Sequence, residues 1–259
     1  MSPMSPRLLR PSNAFSPRSF AGLQLWLDAS DTSTVTLNGT TVSEWRSKSG
    51  SIALVQSTAS AQPTLTNSYY AGRSALTFDG GDVLYSASAP LAIAPSTSFI
   101  VIDETSAVNF GGIFVGTPAS GDDFGNGGTS FITTVHDGTG NAFIRRGANP
   151  NGAASVALVA DSPSVGGTAV GKRVLSAVSF STTAYMRSNG VAGVTDSAHT
   201  QSGSSVGTLV GGRYVGGTVS ASFRFNGKIC EIAHYNVALS SDQVSQMEKW
   251  LANKWGITL

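Results

Sequence analysis

Residues 23–31 read LQLWLDASD, with apolar side chains at every second position from Leu23 to Leu27 and a polar break from Asp28 onward. An apolar residue at every second position is the pattern of a β-strand with one buried face. The break is rich in Asp and Ser, which favour turns because their side chains bond to the nearby backbone. The stretch therefore predicts a half-buried strand that ends in a turn.

The rest of the chain continues as short strands and turns. Val35–Leu37 runs into Asn38-Gly39, a favoured two-residue hairpin turn, and Thr41–Trp45 returns along it. Further strands are predicted at Ala75–Phe78, Ser98–Ile102, Gly112–Val115, Ser130–Val135, Ala142–Arg145, Ser155–Ala160, Arg173–Phe180, Ala184–Arg187, Gly207–Val210, Ser222–Phe225 and Lys228–Tyr235. Many short strands separated by turns predict an all-β sandwich or barrel.

One helix is predicted, near the end of the sequence. Ser240 followed three positions later by Gln243 forms a capping box, which marks a helix N-terminus. Apolar residues then recur at helical spacing on one face, at Val244, Met247, Leu251 and Trp255. Gly256 is placed to end the helix, since glycine readily adopts the left-handed conformation of a C-cap.

The composition limits the classes of function. Only 12% of the 259 residues are charged, against roughly 25% in a typical soluble domain, and the formal net charge is +1. A nucleic-acid-binding domain needs a strongly basic face, and a membrane span needs about 18 consecutive apolar residues. We therefore predict no nucleic-acid partner and no membrane insertion. The N-terminus lacks the apolar core of a secretory signal peptide.

The first twenty residues differ from the rest. They hold four of the ten prolines, three arginines (Arg7, Arg10 and Arg18) and no acidic residue. Proline at this density favours extended backbone. We predict an extended arm at residues 1–20 and one domain at residues 21–259. The arm is either a disordered leader or an anchor that lies along a neighbouring subunit, its arginines pairing with carboxylates.

Seven stretches share the order and spacing of motifs in a known family. They are Gly22–Asp31, Val42–Gly50, Gln62–Thr64, Leu76–Gly80, Phe225–Tyr235, Leu239-Ser240 and Trp250–Gly256. Together they resemble the laminin G-like, concanavalin A-like lectin and glucanase family, more closely a bacterial and phage branch of it. The resemblance implies a concanavalin A-like jelly-roll sandwich of two antiparallel sheets with one C-terminal helix. In phages, such domains occur in virion surface and fibre proteins and are expected to contact glycans.

Catalysis is not predicted. Glucanases of this family carry Glu-x-Asp-x-x-Glu on one strand, because retaining hydrolysis needs two carboxyl groups about 5–5.5 Å apart. The four glutamates here (Glu44, Glu104, Glu231 and Glu248) show no such pattern. The three histidines have no recognisable motif around them. We expect a protein that is not an enzyme and has no catalytic residue.

Calcium is the one metal that the sequence suggests, and no other cofactor is predicted. Asp122, Asp123 and Asn126 lie together in a glycine-rich stretch at 121–128. Oxygen-bearing side chains in a loop suit the six to eight oxygen ligands of calcium. The same residue types dominate ordinary turns, so a turn without a metal is the alternative.

Glycan binding needs exposed aromatic rings on which a sugar can stack. The four tryptophans all lie at apolar-face positions of the family stretches, which predicts that they are core residues. The remaining candidates for exposed aromatic contacts are Tyr69, Tyr70, Phe124 and Tyr214. Each of these is also a candidate for ordinary packing.

Together, these features predict a non-enzymatic phage virion structural or decoration protein of the head, collar or tail surface. It would be assembled in the host cytoplasm and anchored through its N-terminal arm. Its partners would be other virion proteins, further copies of itself in a homo-oligomer, and a host surface glycan contacted by its loops. The alternative is a bacterial extracellular carbohydrate-binding module. We expect deletion of residues 1–20 to leave a folded domain that no longer joins its assembly.

Overall fold

A computed structural model describes residues 15–106, 108, 110–123, 130–135, 143–148, 154–159, 171–193, 195, 197 and 203–259. The strands and helix are β1 (Leu23–Asp28), β2 (Val35–Asn38), β3 (Thr41–Arg46), β4 (Ala53–Val55), β5 (Thr64–Tyr70), β6 (Arg73–Asp79), β7 (Leu84–Ser86), β8 (Ala92–Ala94), β9 (Ser96–Glu104), β10 (Gly112–Thr117), β11 (Phe131–Val135), β12 (Phe143–Ala148), β13 (Ala154–Val159), β14 (Gly171–Ser179), β15 (Ala184–Ser188), β16 (Val191–Ala192), β17 (Gly203–Ser204), β18 (Gly207–Val210), β19 (Tyr214–Val215), β20 (Thr218–Val219), β21 (Asn226–Tyr235) and α1 (Ser241–Trp255).

Two antiparallel layers contain most of these strands. Sheet A runs β16-β15-β14-β9-β21, and the far side of β21 pairs with both β1 and β6, beyond which lies β5. Sheet B runs β2-β3-β4-β7-β18-β10-β11-β12-β13. A single pair, Thr41 with Thr64, joins β3 to β5 and connects the two layers at one edge. The predicted all-β sandwich is confirmed.

The main core lies between the sheets. On β9, Ile100 and Ile102 face this core, whereas Phe99 and Val101 point to the opposite side of sheet A. This division follows from the alternation of side chains along a strand. Trp45 of β3, which sheet B contributes to the core, is fully buried. Each large apolar side chain buried in this way contributes about 1.5–3 kcal/mol to stability.

Helix α1 covers the outer face of sheet A. Its apolar side chains pack against Phe99 and Val101 in a second buried cluster. The predicted capping box is confirmed, since Ser240 Oγ accepts a bond from the Gln243 backbone N–H at 3.3 Å and Gln243 Oε1 accepts one from Ser240 N–H at 3.0 Å. Gly256 ends the helix at φ +65°, and a Cβ there would lie 2.0 Å from the Tyr70 ring. No helix in the described ranges is both long and apolar enough to cross a membrane.

Three of the motif stretches, Gly22–Asp31, Phe225–Tyr235 and Trp250–Gly256, meet at the buried carboxylate of Glu231. Its oxygens accept bonds from the indole N–H of Trp26 at 2.8 Å and of Trp255 at 2.7 Å, and the ammonium of Lys254 lies 2.8 Å away. Lys254 also reaches Asp28 at 2.9 Å. Strand β1, strand β21 and the end of α1 are therefore joined by one polar network inside the protein.

Residues 15–20 lie on the domain. Phe15 contacts Phe20 and Trp250 edge-on, with ring centroids 5.4 and 6.2 Å apart, and Pro17 is buried. The carbonyl of Pro17 accepts a bond from the Tyr235 hydroxyl at 2.8 Å. This part of the predicted arm is thus not extended away from the sandwich. It contains a short 3-10 helix and packs beside α1 because its aromatic side chains bury there.

Two of the strand predictions made from local sequence have different outcomes. The predicted hairpin of β2 and β3 is confirmed, but Asn38 pairs with Thr41, so the two turn residues are Gly39 and Thr40 instead of Asn38 and Gly39. The predicted strand at Ser222–Phe225 is wrong, because this segment is a loop in which Phe223 has a φ of +60°. Its one ladder contact in the described structure is an isolated bridge from Arg224 to Gly112.

Candidate functional site

One row of side chains crosses the outer face of sheet B. The strand register places Glu44 beside Val55, Val55 beside Tyr85, and Tyr85 beside Leu209. The row continues from Leu209 to Val115 of β10. Because these positions alternate with core-facing ones, all of them point away from the sandwich interior.

The β19–β20 hairpin covers half of this row. Tyr214 packs over Val115 and Leu209 in a third buried cluster, and it contacts Tyr85 at a centroid distance of 6.0 Å. The other half of the row, from Glu44 to Tyr85, stays open. The hairpin therefore forms one wall of a groove on sheet B.

A buried ion pair fixes this wall. Both carboxylate oxygens of Asp123 accept bonds from the Arg213 guanidinium, at distances from 2.7 to 2.9 Å. Asp123 Oδ2 also accepts the backbone N–H of Tyr214 at 2.8 Å. Arg213 in turn lies 5.6 Å from the centroid of the Phe223 ring. This pair clamps the loop after β10 to the hairpin.

The groove has a volume of about 850 Å³, within the range usual for small-molecule sites. Its apolar part consists of Val55, Val83, Tyr85 and Val219, of which Val55 is half exposed. Its polar part includes Glu44, Gln56 and Arg224, together with the hydroxyl groups of Ser43, Ser57 and Thr58. An aromatic and aliphatic floor with a few polar groups is a composition that suits sugars, which have apolar ring faces and polar edges.

Hydrogen bonds hold the polar groups of the groove in place. Glu44 Oε2 accepts bonds from Thr36 Oγ1 at 2.8 Å and from Arg46 at 3.0 Å. Gln56 donates to the Val83 carbonyl at 3.3 Å and accepts from the Thr58 backbone N–H at 2.9 Å. Preorganised groups of this kind lower the entropy cost of binding.

A loop of carboxylates lies behind Arg224. The guanidinium donates to the Gly81 carbonyl at 3.0 Å, and Gly81 N–H donates to Asp79 at 2.7 Å. Asp82 lies in the same loop, and burial, with repulsion from Asp79, raises its pKa to about 6. Burial also lowers the pKa of Arg224, against the attraction of Asp82.

The residues predicted to bind calcium have other partners. Asp123 is fully buried and ion-paired with Arg213, and Asp122 accepts the backbone N–H of Gly216 at 2.6 Å. Asn126 lies outside the described residues. The calcium assignment is therefore wrong for Asp123, because a guanidinium already takes both of its oxygens. In the described ranges, no three His, Cys, Asp or Glu side chains come together as a metal site.

The predicted aromatic contacts are not brought together in one site. Tyr214 is only 8% exposed, so the prediction that it is a surface contact is wrong; it supports Tyr85 from beneath the hairpin. Tyr69 and Tyr70 lie on sheet A, away from the groove. The Lys172 ammonium lies 4.9 and 4.4 Å from the centroids of their rings, and the Tyr69 hydroxyl donates to Asp103 at 2.5 Å. Phe124 lies outside the described residues.

The three arginines of the predicted arm are described only in part. Arg18 donates to the Lys48 carbonyl and lies 5.8 Å from the centroid of the Trp26 ring, so it is bound to the domain itself. Arg7 and Arg10 lie outside the described residues.

The residues that line the groove were not singled out as a site by the sequence. Tyr85 lies shortly after the Gly-Gly-Asp turn at residues 80–82 and is followed by Ser86. Arg224 lies in the segment that was wrongly predicted as a strand. The alternation of Leu54 with Val55 and of Leu84 with Tyr85 could have placed Val55 and Tyr85 on an outer face. Nothing in the sequence indicates that these two strands are neighbours.

Comparisons with known proteins support the fold. No protein-family model matches the chain, and no curated protein matches it significantly. The binding domain of Paraclostridial Mosquitocidal Protein 1 has a similar structure, with a TM-score of 0.60 at 10% identity, over 93% of this chain and 56% of that chain. At this identity the likeness shows a shared sandwich fold.

Two further solved structures are less similar. Domain 4 of AbnA, an extracellular arabinanase of Geobacillus stearothermophilus solved with arabinotriose, has a TM-score of 0.47 at 13% identity, over 88% of this chain and 98% of that chain. The CBM40 of Ruminococcus gnavus IT-sialidase, solved with α2,3-sialyllactose, has a TM-score of 0.46 at 16% identity, over 61% of this chain and 83% of that chain.

Proposed function

We propose that this chain is a non-enzymatic, glycan-binding sandwich domain that is mounted on a virion surface as a structural or decoration protein of the head, collar or tail. The glycan site is the groove on sheet B. The N-terminal segment joins the domain to other virion proteins or to further copies of itself.

The groove is the observation that carries the glycan-binding part. Tyr85 and Val55 offer an apolar surface to the C–H face of a sugar ring, and Glu44, Gln56 and Arg224 surround that surface with acceptors and donors for its hydroxyl groups. A sugar ring has the same division into apolar faces and a polar edge, so the two surfaces are complementary.

The number of carboxylic acids in the groove supports the proposal that the protein is not an enzyme. Among its described lining residues, Glu44 is the one carboxylic acid, and Arg46 forms an ion pair with it at 3.0 Å. Glycoside hydrolysis ordinarily uses two carboxyl groups that flank the bond to be cut. We propose that a bound glycan is held and released unchanged.

The virion part of the proposal draws on the sequence. A basic, proline-rich segment precedes a domain with few charges, and the motif stretches resemble a bacterial and phage branch of their family. An extended segment can add its backbone to a sheet edge of a neighbouring subunit. A bacterial extracellular carbohydrate-binding module would use the same groove without that assembly role.

Blocking the groove tests the glycan site. Val55→Arg places a long charged side chain on the open part of the row, and we expect it to abolish binding to every glycan that the wild type captures on a broad array. Leu37→Arg is the matched control, since Leu37 is 48% exposed against 50% for Val55 and lies on the same sheet outside the groove.

Binding should be retained by Leu37→Arg with a Kd within about twofold of the wild type, since scattered surface changes have small effects. A blank array for the wild type contradicts the proposed function. Equal binding by Val55→Arg and the wild type contradicts the groove as the site.

A further inference from the structure

Arg224 is held in the groove wall by neutral groups. Its Nε donates to the Ser220 carbonyl at 2.6 Å and its Nη1 to the Gly81 carbonyl at 3.0 Å. Its stem passes over Gly212, where a Cβ would lie 3.0 Å from the arginine Cδ. These contacts use two of the five guanidinium donors and fix the direction of the side chain.

Three other buried or partly buried cations of the domain have carboxylate partners. Arg213 pairs with Asp123 at 2.7 Å, Arg187 with Glu248 at 3.0 Å and Lys254 with Glu231 at 2.8 Å. In the described part of the chain no carboxylate forms an ion pair with Arg224, although the side chain is half buried. Asp82 acts on it only over a longer distance.

A half-buried guanidinium without an ion-pair partner is electrostatically unsatisfied, because burial weakens its hydration. The three remaining donors form the fork that matches the two oxygens of a carboxylate. Such a group in the wall of the groove can take the carboxylate of a bound ligand.

We propose that the glycan held in this groove carries a carboxylated sugar, whose carboxylate forms a bidentate ion pair with Arg224. The inference rests on the proposed function and names the class of ligand within it. A uronic acid and a sialic acid present the same carboxylate chemistry, and the experiment separates them.

Glu44 sets the direction in which such a sugar lies. It belongs to β3, two strands from Tyr85 of β7, which is about 10 Å at ordinary strand spacing. Like charges repel, so the sugar carboxylate lies at the Arg224 wall and its hydroxyl groups lie toward Glu44. Tyr85 and Val55 contact the ring between these two ends.

Paired probes test the inference on the unaltered protein. Trigalacturonate and 3′-sialyllactose are titrated by calorimetry, each against its own methyl ester, with lactose as a neutral probe. We expect one of the acids to bind about 10-fold or more tightly than its ester, the usual range for a hydrogen-bonded charge pair. Which acid binds identifies the source of the carboxylate.

Variants then assign the preference to Arg224. Arg224→Gln is expected to bind the acid and its ester equally, and Arg224→Lys to keep part of the preference. Arg73→Gln, which removes the same charge from sheet A, should behave as the wild type. Circular dichroism and thermal unfolding establish that each variant is folded.

Three results would overturn the inference. They are equal binding of acid and ester by the wild type, an unchanged preference in folded Arg224→Gln, and binding of neutral glycans only. The last leaves the proposed function intact, since a glycan is still bound in the groove. If no probe binds and the glycan array is also blank, both this inference and the proposed glycan-binding function are contradicted.

Discussion

Asp82 is a carboxylate in a place that disfavours its charge. It is only 5% exposed, and burial, with repulsion from Asp79, raises its pKa from the ordinary 3.8 to about 6. The folded protein therefore binds this proton more tightly than the unfolded chain does between about pH 4 and pH 6. The free energy of unfolding therefore rises as the pH falls through that window. Above the window, the charged form of Asp82 destabilises the folded protein.

Asp82→Asn is therefore expected to increase the free energy of unfolding at pH 8 by about 1 kcal/mol, after allowance for solvent screening. The gain should vanish at pH 4, where the aspartic acid is itself neutral. The amide oxygen can still accept the Asp79 N–H. Urea denaturation at both pH values measures the effect.

Asp122→Asn controls for the loss of one negative charge, because Asp122 is exposed and its amide can keep the bond from Gly216. A destabilised Asp82→Asn protein at pH 8, or an equal change at both pH values, would show that burial of the charge is not the dominant effect.

Tyr85 and Tyr214 show what the sequence could not reveal at this scale. Both are tyrosines in short strands near glycine pairs, yet one lines the groove and the other is buried beneath a hairpin. The difference arises because the outer side of β7 stays open at Tyr85, whereas Tyr214 belongs to a hairpin that folds back over Val115 and Leu209. Local alternation predicts which side of a strand is apolar, and it contains no information about what covers that side.

The Glu231 network joins residues from three of the seven motif stretches. Trp26 and Asp28 come from the first stretch, Glu231 from β21, and Lys254 with Trp255 from the end of the helix. A buried carboxylate is tolerated only when its lone pairs are occupied, and here the donors come from two elements, β1 and α1, that meet at β21. Burial raises the pKa of Glu231, and the charge of Asp28 adds to this effect.

Removal of this carboxylate should loosen the helix from the sandwich. Glu231→Ala leaves two indole N–H groups and the Lys254 ammonium without their shared acceptor, and we expect a loss of about 3–5 kcal/mol in the free energy of unfolding. Glu44→Ala, which breaks a partly exposed ion pair, should cost less than about 1 kcal/mol.

Urea denaturation followed by tryptophan fluorescence measures both variants, since Trp26 and Trp255 report directly on the network. Lys254→Met in the Glu231→Ala background completes a double-mutant cycle. If Glu231→Ala costs no more than Glu44→Ala, the network does not join the helix to the sheets.

At the level of elements, the sequence predicted best where the structure is local. The β2–β3 hairpin and the capped helix were predictable because turn and cap residues act within four positions. The loop at Ser222–Phe225 has an alternating pattern like that of a strand, but it serves to connect the hairpin to β21. Its conformation depends on contacts with sheet B, such as the bridge from Arg224 to Gly112. The alternation of apolar residues alone therefore assigned it wrongly to a strand.

At the level of the whole molecule, residues 15–20 of the predicted arm pack on the domain. Deletion of residues 1–14 removes none of the contacts described for residues 15–20, and we expect it to leave the free energy of unfolding within about 0.5 kcal/mol of the wild type. Deletion of residues 1–20 should cost about 2–4 kcal/mol, because Phe15, Pro17 and Phe20 leave their sites against α1 and the Tyr235 hydroxyl loses its acceptor.

The shorter deletion is therefore the sharper test of the anchor. If the proposed virion role is right, the protein lacking residues 1–14 should be as stable as the wild type and should be absent from particles assembled with its proposed virion partners. Normal incorporation would exclude these residues as the anchor. Equal stability of the two truncated proteins would contradict the packing of residues 15–20.

Phe15 lies beside Trp250 on the helix-covered face, while the groove opens on the opposite face of the sandwich. In the proposed assembly, copies held by their N-terminal segments would therefore present their grooves away from the support. Repeated sites on one particle act together, and avidity from such linkage reaches roughly 10²–10⁴-fold without any new contact. In that assembly, weak and quickly reversible binding by each groove would be enough for firm attachment of the whole particle.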